Sequence, residues 1–138
     1  MRRCISILLI LFCTTLHAQQ WTGDLAGGLR LARENDRKVL LFFSVADGCA
    51  VCRDLEQKVF ASPGFIAYAA DRFVMVKEDF SEGTPEAKIE HLAIVEKYNR
   101  DGFFPLVLIL DSSGKVLKKT GPYEGESAEL YIRMLEKP

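Results

Sequence analysis

The sequence predicts an α/β domain, a mixed sheet covered by helices on both faces, and three observations carry that expectation. Two unbroken apolar runs, Val39-Leu40-Leu41-Phe42-Phe43 and Leu106-Val107-Leu108-Ile109-Leu110, have the character of strands buried on both faces. Segments with helical spacing of apolar residues alternate with the strand-like runs. The turn Asp111-Ser112-Ser113-Gly114 lets residues 115–119 pair back as an outer strand, so part of the sheet is antiparallel. A chain of 138 residues that is 49% hydrophobic and 27% charged is too apolar to stay disordered and has the size of one domain.

Arg2 and Arg3 precede an apolar core of about ten residues, where a membrane span needs roughly twenty, and Leu16-His17-Ala18 follows. This pattern predicts a secretory signal peptide over residues 1–18, with an uncleaved anchor as the alternative. Phe12 stands where a lipoprotein signal requires a small residue, which argues against lipidation of Cys13. Residues 19–138 then form a single domain, with no stable membrane insertion once the signal is removed. Localisation is expected to be periplasmic or secreted, and the protein a monomer.

Leu25, Ala26, Leu29 and Ala32 predict a helix reaching about Asn35, and residues 39–45 a strand. A second helix begins at the cysteine pair and runs through Leu55 and Val59 to Phe60. Ser62-Pro63 opens a third, serine being a good N-cap and proline suiting the first helical position. Phe73-Val74-Met75-Val76 is the next strand. Thr84-Pro85 repeats the cap-and-proline start, and Ile89, Leu92 and Ala93, with Val95 and Tyr98 beside them, supply that helix with an apolar stripe. Leu130, Tyr131, Met134 and Leu135 mark a final helix. With 18 basic and 19 acidic side chains, the net charge of -1 provides no basic field for nucleic acid.

Removal of the signal leaves Cys49 and Cys52 as the only cysteines, in a chain exported to where disulfides form. Cys49-Ala50-Val51-Cys52 puts two thiols on one side of a first helical turn, close enough for a disulfide. Helix N-terminal N–H groups stabilise a thiolate, which makes Cys49 the nucleophile and Cys52 the resolving thiol. The same spacing also supplies half of many zinc sites, but a closed site needs four ligands. Beyond the signal the chain offers two cysteines and one histidine, His91, so neither a metal nor another cofactor is expected. An inert disulfide is the remaining alternative, although a loop this short restrains the unfolded chain little.

Residues 38–77, with Cys49-Ala50-Val51-Cys52-Arg53, Leu55-Glu56, Val59-Phe60 and Ser62-Pro63, resemble exported thioredoxin-like domains. The likeness extends to the C-terminal domain of the DsbD electron carrier and to small single-domain relatives. Tyr98-Asn99, Gly102, Phe104-Pro105 and residues 111–116 are similar to that family's cis-proline strand and hairpin. The resemblance implies a thioredoxin-like fold and thiol-disulfide exchange with protein cysteines and an unidentified redox partner. It also implies that Pro105 follows a cis bond and lies beside Cys49, with Phe104 and Pro105 meeting substrate. A non-catalytic module that binds proteins or peptides, its disulfide structural, is the competing class. Gly48 stands where thioredoxins have Trp, Phe43 where they have a buried Asp and Leu106 where they have Thr; one extra residue separates Tyr98 from Pro105. These departures leave the direction of electron transfer unassigned.

Other residues receive plainer expectations. Asp47 is read as a helix cap or turn, Arg53 and Lys58 as solvated helix charges, and His91 as a surface residue. Trp21 and Phe103 are read as core, while Phe104 is the aromatic best placed to face substrate.

Overall fold

A computed structural model describes residues 19–45, 47–80 and 84–137, and the expected signal segment lies outside them. In chain order the elements are β1 (Trp21–Thr22), α1 (Leu25–Glu34), β2 (Lys38–Ser44), α2 (Ala50–Leu55), a π-helical turn (Glu56–Phe60) and α3 (Pro63–Ala70). They continue with β3 (Phe73–Asp79), α4 (Pro85–Tyr98), β4 (Leu106–Leu110), β5 (Val116–Lys119) and α5 (Ala128–Glu136). The sheet order is β1-β3-β2-β4-β5. β3 runs parallel to β1 and β2, while β4 is antiparallel to β2 and β5. This is the mixed sheet that the two apolar runs and the hairpin predict, and it has the thioredoxin-like arrangement.

Alternation along the strands divides the interior in two. Leu40 and Phe42 of β2, with Phe73, Met75, Val107 and Ile109, pack under α2, the π-helical turn, α3 and α5. Val39, Leu41 and Phe43, with Val76, Leu106, Leu108 and Leu110, pack under α1 and α4. Both faces of β2 and β4 are therefore covered, which is why their sequences read as continuous apolar runs.

The caps follow the sequence. Ser62, Thr84 and Ser127 each accept a hydrogen bond from the backbone N–H three residues on, and proline occupies the first turn of α3 and α4. Two expectations need correction. The start at Trp21, unassigned from sequence, is a short strand pairing with Met75 and Val76. The stripe expected on α4 is rotated: Ile89 and Leu92 are 70% and 59% exposed. Ile94, Val95 and Tyr98 pack inward instead, with His91 one turn before them on the same side.

Gly28 is required by the approach of α1 to β3, because a Cβ there would lie 2.5 Å from Val76 Cγ2. Val76 is fully buried and has no room to retreat. Gly28→Ala is expected to lower stability by about 1–3 kcal/mol. An unchanged denaturation midpoint would show that the helix can move away freely.

Candidate active site

β2 delivers the chain to the cysteines, and the intervening turn bends through Gly48 at φ +87°, a conformation that favours glycine. Asp47 is an exposed turn residue; the cap of α2 is Cys49 itself, whose Sγ accepts from the Cys52 N–H at 3.1 Å. Cys49 and Cys52 form a disulfide with a Cα–Cα separation of 5.3 Å. Cys49 is half-buried and Cys52 fully buried, so the two sulfurs differ in access. In the reduced protein, the N–H that now meets Cys49 Sγ would stabilise negative charge on it.

The Phe104-Pro105 peptide bond is cis, as the resemblance implies. Pairing of Phe43 with Leu106 puts this bond at the end of β2 that leads to Cys49. Phe104 is half-buried and packs edge-on against Phe80, with ring centroids 5.7 Å apart. Trp21 packs against Phe42 and Phe60 on the α2 side of the sheet. Phe103, expected in the core, is 61% exposed, because the loop between α4 and β4 turns its ring outward beside Lys119.

Asn99 shapes that loop. It ends α4 and is 2% exposed. Its side-chain Oδ1 accepts from the Phe103 N–H at 3.0 Å, and its Nδ2 donates to the Phe103 carbonyl at 2.8 Å. Gly102 donates its N–H to the Asn99 carbonyl at 2.9 Å and takes φ +68°.

The charged groups nearest this end of the sheet come from β3, α2, the π-helical turn and α4. Lys58 pairs with Asp54 at 2.6 Å, both largely exposed, and the hydrogen bond from that carboxylate raises the ammonium's pKa. Arg53 is exposed, so both cations are solvated as expected. Lys77 meets Glu56 at 2.9 Å and Asp79 at 3.8 Å in a half-buried network. Opposite Phe43 in the β2–β3 register stands Glu78, which is fully buried. Its Oε2 is hydrogen-bonded to His91 Nδ1, and its Oε1 has no partner among the described residues. Burial pushes the Glu78 carboxyl above its ordinary value, and the His91 contact opposes that rise.

His91 is therefore not the surface residue expected from sequence; its side chain is 18% exposed. The sequence does carry a signal for Glu78, since strict alternation places Val74, Val76 and Glu78 on one face of β3. Its histidine partner arrives from a helix that gives no comparable signal. Among the described residues, no three His, Cys, Asp or Glu side chains converge as a metal site. No described helix is long and apolar enough to cross a membrane.

A family model described as thioredoxin-like matches residues 20–112. The disulfide bond reductase DsbH of Chlamydia pneumoniae is 26% identical over 112 residues, which are 79% of this chain and 66% of that protein. The chain thus spans just under two thirds of that relative's length. A solved DsbH oxidoreductase superposes with a TM-score of 0.76 at 23% identity, covering 85% of this chain and 81% of that one. The C-terminal domain of DsbD from Neisseria meningitidis in its oxidised form gives a TM-score of 0.61 at 24% identity, covering 80% and 89%.

Proposed function

The chain belongs to the thioredoxin-like family, and from that membership we propose that it is a protein thiol-disulfide oxidoreductase working in the reducing direction. The observation that carries this reading is the unequal pair at the head of α2, with Cys49 accessible and capping and Cys52 enclosed behind it. Similarity to a relative named a disulfide bond reductase supports the direction.

Reduced Cys49 attacks one sulfur of a partner's disulfide as the thiolate, forming a mixed disulfide and expelling the partner's other sulfur as a thiolate, which takes up a proton. Cys52 loses its proton and attacks Cys49 Sγ. This closes the Cys49–Cys52 disulfide and releases the second partner thiol. Two electrons pass to the partner, and a second redox protein restores the dithiol by the reverse steps. Phe104 and Pro105 bound the surface on which the partner's disulfide is aligned.

Residues 1–18 direct export to the periplasm or outside the cell, and residues 19–138 act as one monomeric domain. N-terminal sequencing of the exported protein should begin at Gln19; a retained leader would mean a membrane anchor.

The reduction potential of the Cys49/Cys52 couple tests the reading. A reductant should lie near about -270 mV and an oxidant near about -120 mV, whereas a structural disulfide falls below about -300 mV. The last result would replace catalysis with a binding module.

A further inference from the structure

We propose that Asn99 is a positioning residue that presents the exposed Phe103 ring as a contact for the protein partner, the disulfide-bearing segment of which carries an apolar side chain. The proposal rests on the oxidoreductase reading and names the partner contact of that same site.

Four observations converge. Phe103 is two residues before Pro105 and 61% exposed, on the loop that enters β4 at the cysteine end of the sheet. The direction in which its side chain leaves the backbone is set, since Asn99 holds both polar groups of the Phe103 backbone. Only one orientation of the Asn99 amide satisfies both bonds, and the side chain making them is buried. Lys119 Nζ lies 5.9 Å from the Phe103 ring centroid, and the residue is otherwise mostly open to solvent.

The backbone bonds decide what Phe103 can offer. With its N–H and C=O both committed to Asn99, it has no strand-like pairing left for a partner at this residue. What remains is the ring, which has only two side-chain torsions to immobilise on binding, a property of aromatic anchors at interfaces. Beside the cysteines themselves, Gly48 precedes Cys49, and Val51 is the exposed apolar side chain between them, 46% exposed. The extra residue between Tyr98 and Pro105 falls in the loop that Asn99 closes. An apolar side chain near the partner's reactive cysteine would bury the ring as the mixed disulfide forms.

The test is insulin reduction by the full domain with dithiothreitol as electron donor, read as separate KM and kcat. Phe103→Ala should raise KM about fivefold with kcat within about twofold, the signature of lost partner binding, and Phe103→Tyr should restore it. Asn99→Ala should raise KM similarly, and Asn99→Ala/Phe103→Ala should be no worse than Phe103→Ala alone, because the clamp acts through the ring. An unchanged KM in Phe103→Ala overturns the contact. Additive effects, or a loss confined to kcat in Asn99→Ala, overturn the positioning role. If Asn99→Ala does not fold, Phe103→Ala and Phe103→Tyr still decide the contact. The wild-type domain is also assayed with 5,5′-dithiobis(2-nitrobenzoate): exchange with this small disulfide combined with an unchanged KM in Phe103→Ala removes the contact alone. Absence of exchange removes the oxidoreductase reading itself.

Discussion

Cys49→Ser is expected to reduce disulfide exchange to the uncatalysed background, while Cys52→Ser should accumulate covalently trapped partners. A serine hydroxyl is not ionised near neutral pH, so the first variant has no nucleophile to open a partner's disulfide. The second still opens it but lacks the thiolate that attacks Cys49 Sγ, and the mixed disulfide persists. Burial distinguishes the two positions: Cys52 is 0% exposed beneath a half-buried Cys49. Non-reducing gels of cells producing each variant, with mass spectrometry of the adducts, check the result. Adducts on Cys49→Ser rather than Cys52→Ser would exchange the roles, and adducts on neither would leave a binding module. In the reduced wild type, iodoacetamide at neutral pH should modify Cys49 well before Cys52.

The largest change in stability is expected from His91→Leu, which should cost about 3 kcal/mol at neutral pH. The variant leaves a fully buried Glu78 carboxylate without its His91 partner, with Oε1 already unpaired among the described residues. Charge facing Glu78 from the elements around it is otherwise negative, Glu90 on α4 and Asp24 at the start of α1. The dependence on pH follows from the raised carboxyl. Stability from a proton held more tightly in the folded state is present below the ordinary value of 4.5 and is lost as pH rises through the folded value. The cost of His91→Leu should therefore be smaller at about pH 5 than at pH 7, because Glu78 can take up a proton in place of its partner. Glu78→Gln, which cannot titrate, should flatten the pH profile of unfolding. Equal costs at both pH values would show that the carboxyl is not the group concerned.

What the sequence made legible was set by how local its causes are. The runs at residues 39–43 and 106–110, the caps at Ser62 and Thr84, and the hairpin turn at residues 111–114 all act within a few residues, and each has its counterpart in the structure. Cys49 and Cys52 were legible for the same reason, through spacing and a strand-to-helix boundary. α4 was misread because its inward face includes a histidine: Ala87, His91, Ile94, Val95 and Tyr98 form the packed stripe, and one polar member conceals the period. The reason His91 turns inward is Glu78, a strand residue 13 positions earlier, and such a pairing is visible only once β3 and α4 are stacked. Phe103 was assigned to the core on its apolarity, but two hydrogen bonds from a buried asparagine decide its direction. β1 was missed because two residues carry too little pattern to distinguish a strand from an irregular start.

The ends of the sheet bear on how this domain can live among crowded neighbours. A long bare edge strand is a template on which a second chain can polymerise. Here one margin is the two-residue β1, and the other is the four-residue β5, whose exposed backbone lies beside Lys118 and Lys119. An approaching strand would find few groups to bond, and a second copy of this chain pairing along β5 would bring its own lysines against these. Aggregation edge to edge is thereby discouraged.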